Sequence, residues 1–332
     1  MCTNTFPVVL KTSKIIFKSN RMNINSFQDH KGQVVASGNG FDVIDCQHCG
    51  FKHIVPIPSV GDLTTVYKHD YYKQEKPLYL DRYQEDLDWW NMVYTRRYKI
   101  FEEHLSASQR KLFDIGSGPG FFLLNGLQRG WQVKGIEPSV QALEHSRGLG
   151  LDVDHGFYSE QTASSLDTFD AINLGLVLEH IPDPASLLKL IYHQLNDNGM
   201  VCIIVPNDFN PFQIVLRDHL GFKPWWVAPP HHINYFDFNS LEKLVRRCGF
   251  DVVHKESTFP IDMFLLMGDN YIGNDEQGRV CHTKRMNFEK ALCESGHSYI
   301  LAGLQSALAV QGIGREVVLF VRKTQLVNVG YN

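Results

Sequence analysis

The amino-acid sequence predicts an α/β fold built on a doubly wound parallel sheet. Between residues 112 and 206, short apolar runs typical of buried strands alternate with amphipathic stretches typical of helices. The first run, Leu112 to Ile115, ends in a turn with glycines at 116, 118 and 120, and a helical pattern follows. Strands and helices at this interval form parallel sheets, which bind ligands at the carboxyl ends of their strands.

The later elements are predicted in chain order from apolar runs and turn residues. A helix is expected directly after the glycine turn, at 121–129. Further strands are expected at 131–136, 151–154, 169–174, 200–205, 251–257 and 315–323, with helices at 140–149, 185–195 and 240–248. Asn198-Gly199 is expected to close the helix that begins after Pro182-Asp-Pro184.

The sheet domain is predicted to span residues 109–325, with insertions at 207–236 and 260–313. Ahead of it, residues 26–80 contain turn signals such as Gly38-Asn-Gly40, which favour a small β-rich module. Residues 1–25 are expected to be disordered or to include a non-native start, because Met22 offers a second initiation site.

Residues 81–108 are predicted to form a helical linker or lid. Apolar side chains recur every three or four positions, at Leu87, Trp90, Tyr94, Tyr98 and Phe101. This stripe is expected to pack on the sheet. The alternative is that Trp89, Trp90 or Tyr94 covers a cationic cofactor.

Length, charge and cysteine content limit the class of protein. A chain of 332 residues can hold one large α/β domain with extensions. A net charge of -4 with mixed signs argues against nucleic acid as a partner, and the apolar runs are too short for membrane insertion. Seven cysteines, an odd number, favour reduced thiols and a cytoplasmic location. No residue pattern indicates an oligomeric state.

The glycine turn predicts a nucleotide-type cofactor site. Gly116, Gly118 and Gly120 permit a sharp turn and a close approach of ligand to backbone, and the helix from Phe121 directs its amides toward the turn. Glu137, about 20 residues further on, can accept hydrogen bonds from both ribose hydroxyls. Nicotinamide, flavin and sulfonium cofactors all use such loops, so the turn alone does not identify the cofactor.

An adenine ring is expected beside the segment after the third strand. Phe157 or Tyr158 could stack on it there, and the alternative is that either ring belongs to the core.

A candidate metal site lies in the amino-terminal module. Cys46 and Cys49 have the spacing of a zinc knuckle, and His30 and His53 could complete a tetrahedral set. Four protein ligands would make such a zinc structural. The alternative is a reduced cysteine pair in a hairpin.

The first insertion is a candidate acceptor site. Its segment 223–235 carries prolines ahead of His231, His232 and Tyr235, so titratable groups stand on a stiff loop at the functional edge of the sheet. His231, His232 and then His180 are the candidate general bases, in that order, and each could instead be a surface or hydrogen-bonded histidine.

The motifs Asp114-Ile-Gly-Ser-Gly-Pro-Gly120, Glu137-Pro-Ser139 and Val177-Leu-Glu-His-Ile-Pro-Asp183 resemble those of class I S-adenosylmethionine-dependent methyltransferases. The resemblance implies a Rossmann-like sheet of seven strands whose last strand is antiparallel. It also implies that Gly116 and Gly118 border the methionine part of the cofactor and Glu137 its ribose. The full implied cofactor set is Asp114, Gly116, Ser117, Gly118, Gly120, Phe121, Glu137, Pro138, Phe157, Tyr158, Asn173, Leu174 and Glu179.

The Cys-x-x-Cys module and the segment Pro230-His-His-Ile-Asn-Tyr-Phe236 are similar to those of methyltransferases that act on nucleotide-linked sugars. The resemblance therefore implies methyl transfer from S-adenosylmethionine to a small-molecule acceptor, such as a sugar. Two alternatives remain at this point: a nicotinamide-dependent oxidoreductase, and a non-catalytic module that only binds the cofactor.

Overall fold

The computed structural model describes residues 29–58 and 79–324, which contain two β-sheets. The expected disorder of residues 1–25 concerns a segment outside this range. The first three strands form a small antiparallel sheet: β1 (Gly32–Gly38), β2 (Phe41–Cys46) and β3 (Lys52–Val55). Asn39 and Gly40, both with positive φ, make the turn between β1 and β2.

Two helices follow, α1 (Tyr79–Glu85) and α2 (Leu87–His104). The apolar stripe of α2 is buried. Trp90 stacks on Tyr83, which stacks in turn on Phe121, with ring centroids 4.7 and 5.0 Å apart. Trp89, Trp90 and Tyr94 therefore belong to the core. The apolar spacing of the helix favoured this packing role over a lid above a cofactor.

The central sheet contains five parallel strands: β4 (Lys111–Ile115), β5 (Gln132–Glu137), β6 (Val153–His155), β7 (Phe169–Gly175) and β8 (Leu195–Pro206). Helices α3 (Phe121–Gln128), α4 (Val140–Gly148), α5 (Glu160–Ala163) and α6 (Pro184–Gln194) connect them. The pairings β4 with β5, β5 with β6, β4 with β7, and β7 with β8 are all parallel.

Strand β8 begins earlier than the sequence indicated. Leu195 already pairs with Phe169, and the register then shifts so that Met200 pairs with Ala171. Asn198, with a positive φ of 61°, makes the turn within this irregularity. Asn198-Gly199 thus lies inside the strand and does not close the preceding helix, which ends at Gln194.

The remainder of the chain completes the sheet. It comprises α7 (Pro211–Asp218), β9 (Asn234–Tyr235), α8 (Phe238–Arg247), β10 (Phe250–Ser257), α9 (Asp262–Leu266), α10 (Asp275–Glu294), α11 (Ser298–Val310) and β11 (Glu316–Lys323). The strand order is β10-β11-β8-β7-β4-β5-β6, and β11 is antiparallel to both of its neighbours. The predicted seven-stranded sheet with an antiparallel last strand is confirmed.

Helices cover both faces of this sheet because its strands are apolar on both sides. Phe113 of β4 packs on the face with α6 and α8, and Leu112 packs on the face with α2 and α3. The helices cover the two faces, and the candidate polar residues such as Asp114 and Glu137 lie at the carboxyl ends of the strands.

Strand β9, from the first insertion, joins the small sheet and not the central one. Lys52 of β3 pairs with Tyr235, and His53 pairs with Asn234. The predicted amino-terminal module and the predicted acceptor loop therefore share one sheet. Among the residues described, no helix has the length and apolar character needed to cross a membrane.

Candidate functional site

The glycine turn lies at the carboxyl end of β4. Gly116, Gly118 and Gly120 have φ of 70°, 55° and 87°, a region that other residues rarely adopt. A Cβ at Gly116 would stand 2.7 Å from Cγ2 of Val177, so space as well as conformation requires glycine there. The amides of Gly116 and Ser117 both donate to the Ile136 carbonyl, which ties the turn to β5.

Glu137, at the end of β5, joins this turn to the next one. Its Oε2 accepts from the Gly118 amide and its Oε1 from the Ser139 amide, each at 2.8 Å. Burial raises the pKa of the carboxyl to about 7, although both amide hydrogen bonds act to lower it. Pro138 lies between the two turns. A carboxylate held in this way can accept further hydrogen bonds from a ligand such as a ribose.

Asp114 lies at the end of the neighbouring strand. Its Oδ1 accepts from Asn173 Nδ2 of β7 at 2.7 Å. Burial raises the pKa of the Asp114 carboxyl to about 7, against the lowering effects of that hydrogen bond and of the Arg97 guanidinium. Arg97 was not predicted as a site residue. It lies three positions after Tyr94 on the apolar stripe of α2, and a basic residue on a buried stripe is the signal that could have found it.

Two polar atoms beside the glycine turn are buried without a hydrogen-bond partner among the described residues. They are Ser117 Oγ and Asn173 Oδ1. Buried polar atoms are normally paired, so a ligand that supplies donors or acceptors fits here. With the Glu137 and Asp114 carboxyls, this edge has the chemistry that a polar, positively charged nucleoside cofactor requires.

The apolar members of the predicted cofactor set differ in their surroundings. Phe121 and Leu174 are buried in the core. Tyr158 packs against Phe113, and its hydroxyl donates to Gln194 Oε1 at 3.1 Å. Phe157 is 39% exposed and is the ring available at this edge.

The segment after β7 forms a single helical turn, Leu178–His180, held from outside by Asn234. The Asn234 side-chain amide donates to the carbonyls of Leu178 at 3.1 Å and Ile181 at 2.7 Å. The Ile233 amide donates to the Glu179 carbonyl at 2.8 Å. The predicted acceptor loop therefore fixes the position of Glu179 and His180.

Three candidate side chains converge at this turn. His180 Nδ1 donates to the His231 carbonyl at 2.6 Å, and its Nε2 lies 3.6 Å from Glu179 Oε1. The His180 and His232 rings are 5.2 Å apart in an edge-to-face arrangement. One ligand-type atom from each of Glu179, His180 and His232 lies within 4.8 Å of the others. Such a set can move a proton or hold a cation.

Two aromatic residues of the loop are buried and contribute to packing. The Tyr235 hydroxyl accepts from the Ala228 amide at 3.2 Å, and burial raises the pKa of Tyr235 well above its ordinary value. These contacts favour a packing role for Tyr235 over proton transfer. Trp226 is buried and packs edge-to-face on Phe209. The neighbouring Trp225 is partly exposed.

The four predicted metal ligands lie together. One ligand atom from each of His30, Cys46, Cys49 and His53 lies within 4.8 Å of the others. His30 Nδ1 is 3.7 Å from Cys46 Sγ, 3.4 Å from Cys49 Sγ and 3.1 Å from His53 Nε2. Tetrahedral zinc with ordinary Zn–N and Zn–S bonds places its ligand atoms roughly 3.3–3.8 Å apart.

The hydrogen bonding of His53 also suits a metal ligand. Its Nδ1 donates to the Ile54 carbonyl at 2.9 Å, which leaves Nε2 to face the other three side chains. Burial lowers the pKa of both His30 and His53, so the neutral imidazole that a metal requires is favoured.

Comparison with known families identifies the central part of the chain. Residues 92–255 match a family model described as "Methyltransferase domain". Residues 92–255 are a methyltransferase domain. This match supports the resemblance drawn from the motifs and gives no support to the nicotinamide alternative.

Curated relatives match about a third of the chain. The "Ubiquinone biosynthesis O-methyltransferase" of Stutzerimonas stutzeri (strain A1501) is 33% identical over 114 residues, 32% of this chain and 48% of that protein. The protein of that name from Histophilus somni (strain 2336) is 31% identical over 117 residues, 32% and 49% of the two chains. The chain thus spans about half the length of the curated relatives it matches.

Solved structures with a similar fold include methyltransferases from two organisms. A SAM dependent methyltransferase from Archaeoglobus fulgidus has a TM-score of 0.46 at 17% identity, covering 70% of this chain and 93% of that one. An S-adenosylmethionine dependent methyltransferase from Mesorhizobium loti has a TM-score of 0.41 at 16% identity, covering 68% and 97%.

Proposed function

We propose that the protein transfers a methyl group from S-adenosylmethionine to a small-molecule acceptor. The observation that supports this proposal is the Glu137 carboxylate, which closes the glycine turn of a methyltransferase domain and could accept hydrogen bonds from a ribose. S-adenosylmethionine supplies the methyl group as an electrophilic sulfonium. The cation is compatible with the two carboxyls of this edge, Asp114 and Glu137.

We assign the cofactor-binding roles as follows. Gly116 and Gly118 border the methionine part, with Ser117 Oγ and Asn173 Oδ1 as polar partners. Glu137 accepts from the ribose hydroxyls, and Phe157 lies against the adenine.

On the acceptor side, His232 is the proposed general base, with His231 as the alternative. His232 is buried and packs against His180, which the His231 carbonyl and the Glu179 carboxylate hold in place. The base takes the proton of an acceptor hydroxyl as the oxygen attacks the methyl carbon. The electron pair of the breaking sulfur–carbon bond stays on sulfur. His180 then has a positioning role, because its Nδ1 is engaged in holding the loop.

Two different observations suggest a class of acceptor. The amino-terminal module resembles that of enzymes acting on nucleotide-linked sugars. The curated relatives carry a name that indicates O-methylation in ubiquinone biosynthesis. Both acceptors offer a hydroxyl group, so O-methylation with a histidine base is compatible with either.

We also propose that His30, Cys46, Cys49 and His53 bind a structural zinc ion. The set of two sulfur and two nitrogen ligands, at separations close to those of tetrahedral zinc, supports this assignment. Four protein ligands leave no open coordination position, so this metal would take no part in methyl transfer.

Turnover with a defined acceptor panel tests the function. The full chain is incubated with S-adenosylmethionine and either 3,4-dihydroxybenzoate or dTDP-glucose, and mass spectrometry measures S-adenosylhomocysteine and methylated product. Product that requires both enzyme and acceptor supports methyl transfer. Binding of S-adenosylmethionine without product from any hydroxylated acceptor would favour the non-catalytic alternative.

A further inference from the structure

Helix α11 (Ser298–Val310) covers one end of the central sheet. It packs against β10, the strand at the edge of that sheet, and against α10. Leu301 and Ala309 lie on its inward side and are buried. None of the residues assigned above to cofactor, acceptor or zinc belongs to this helix, so the proposed function does not account for its outward side.

The outward side of α11 is apolar along its whole length. From the second residue onward, every exposed position carries an uncharged side chain that is apolar, aromatic or small, and these positions recur at helical spacing. They are Tyr299, Ile300, Gly303, Leu304, Ala307 and Val310, which together we call the α11 face. Tyr299 and Val310 are 68% and 71% exposed.

The neighbouring helix shows what a water-facing surface looks like in this protein. The exposed positions of α10 include Glu276, Lys284 and Glu294. A helix that faces water normally presents charged and polar residues of this kind, and a helix that is apolar on all sides is normally buried. The composition of α11 is therefore that of a helix whose outer side is covered.

The size of the α11 face suits a contact between proteins. Its exposed area is on the order of 500 Å², which is within the range of the largest apolar patches on monomeric proteins, and such patches are often functional. Two faces of this size pressed together bury on the order of 1,000 Å² in total, the lower limit for a specific interface between proteins.

The absence of charge on α11 limits the class of partner. The helix sequence contains no aspartate, glutamate, lysine, arginine or histidine. A charged peptide or a nucleic acid would lose hydration at this face without gaining a counter-charge. Helices that lie on membrane surfaces carry lysine and arginine beside their apolar side, and α11 carries neither. An uncharged apolar face of similar size is the matching partner.

The α11 face is complementary to itself when two copies run antiparallel. Gly303 and Ala307 lie in the middle of the face, where small side chains let two helix axes approach to roughly 8 Å. An antiparallel arrangement that places Gly303 level with Ala307 of a second copy also places the Tyr299 hydroxyl level with the exposed Gln311 amide. The apolar middle and the polar ends of the two faces then coincide.

We infer that the α11 face is the interface between two copies of this chain, whose α11 helices pair antiparallel about a two-fold axis. An interface of this symmetry uses the same surface on both subunits, so each substitution acts twice. Because the interface is apolar, added salt does not weaken the dimer.

Analytical ultracentrifugation of the full chain over a range of concentrations tests this inference. The wild type should show a monomer–dimer equilibrium, and Gly303→Glu should raise its dissociation constant tenfold or more. Among the described residues no atom lies within 4 Å of a Cβ placed at Gly303, and glutamate favours a helix more than glycine does, so the variant should fold. Circular dichroism checks the fold. Gly148→Glu on α4, where a Cβ also meets open space, is the matched control and should dimerise as the wild type does.

A charge-pair experiment tests the antiparallel arrangement. Ala307→Lys alone should weaken the dimer as Gly303→Glu does. An equimolar mixture of the two variants should associate tenfold or more tightly than either alone, because the new glutamate of one subunit lies level with the new lysine of the other. A mixture that associates no more tightly than its components would overturn the antiparallel pairing.

Three other outcomes would overturn the inference as a whole. A wild type that stays monomeric at every concentration would mean that the face is uncovered or is covered by another segment of the same chain. A Gly303→Glu variant that folds and dimerises normally would place the interface elsewhere. Wild-type protein that binds phosphatidylcholine vesicles, with loss of that binding in Gly303→Glu, would assign the face to a lipid surface.

Discussion

His53 and Asn234 are partners in the antiparallel pairing of β3 with β9. His53 belongs to the candidate metal cluster, and the Asn234 side chain donates to the carbonyls that flank Glu179 and His180. One strand pairing therefore connects the metal cluster to the candidate base. The small amino-terminal sheet therefore contacts the turn of the methyltransferase domain that carries Glu179 and His180.

Replacing Asn234 with aspartate should reduce turnover without weakening cofactor binding. The change keeps the shape of the side chain but removes both hydrogen bonds to the Leu178 and Ile181 carbonyls, at a cost of about 1–3 kcal/mol in unfolding free energy. Chemical denaturation and calorimetry with S-adenosylmethionine measure the two effects. Asn239→Asp, at an exposed position of α8, is the control. Normal turnover in Asn234→Asp would show that this asparagine does not position the turn.

Purified protein should contain about one zinc ion per chain, because two sulfur and two nitrogen ligand atoms already lie within 4.8 Å of one another. Cys49→Ser should lower the zinc content measured by plasma mass spectrometry and reduce thermal stability. Cys293→Ser, on α10 and outside the cluster, should change neither. Metal-free wild-type protein with freely titrating thiols at Cys46 and Cys49 would reject the site.

His232→Ala should lower kcat by about 10²–10⁴-fold, the usual contribution of a general base, while the affinity for S-adenosylmethionine survives. His219→Ala, which alters an exposed histidine elsewhere in the first insertion, controls for nonspecific effects. His231→Ala distinguishes the two loop histidines. Near-normal turnover in both the His231 and His232 variants would mean that neither is the base.

Affinity for S-adenosylmethionine should rise as the pH increases through about 7, because burial raises the pKa of Glu137 to that value and the ionised form is the better acceptor. In the ligand-free protein, rising pH has an unfavourable effect: it reduces the contribution of Glu137 to the stability of the folded state. The folded state holds this proton more tightly than the unfolded chain between roughly pH 4.5 and 7, so its contribution to stability is lost across that window. Glu137→Gln should weaken both trends and leave the part that comes from Asp114, whose pKa burial also raises to about 7. A pH-independent affinity in the wild type would contradict the assignment.

The sequence predicted the features that depend on neighbouring residues. The turn from β4 into α3, the acid at the end of β5 and the candidate metal-ligand pair Cys46 and Cys49 all follow from local spacing. The pairing of His53 with Asn234 does not, because it joins segments that lie far apart in the chain. The early start of β8 depends on a turn at Asn198 that resembles the end of a helix.

The most direct test of the central claim is calorimetric titration of the wild type and of Glu137→Ala with S-adenosylmethionine and with NAD. We predict that the wild type binds S-adenosylmethionine and not NAD. Glu137→Ala should bind S-adenosylmethionine more weakly by about 2–3 kcal/mol, because the ribose hydroxyls lose a charged acceptor. Unchanged affinity in the variant would remove Glu137 from the cofactor site, and binding of NAD in place of S-adenosylmethionine would contradict the proposed function.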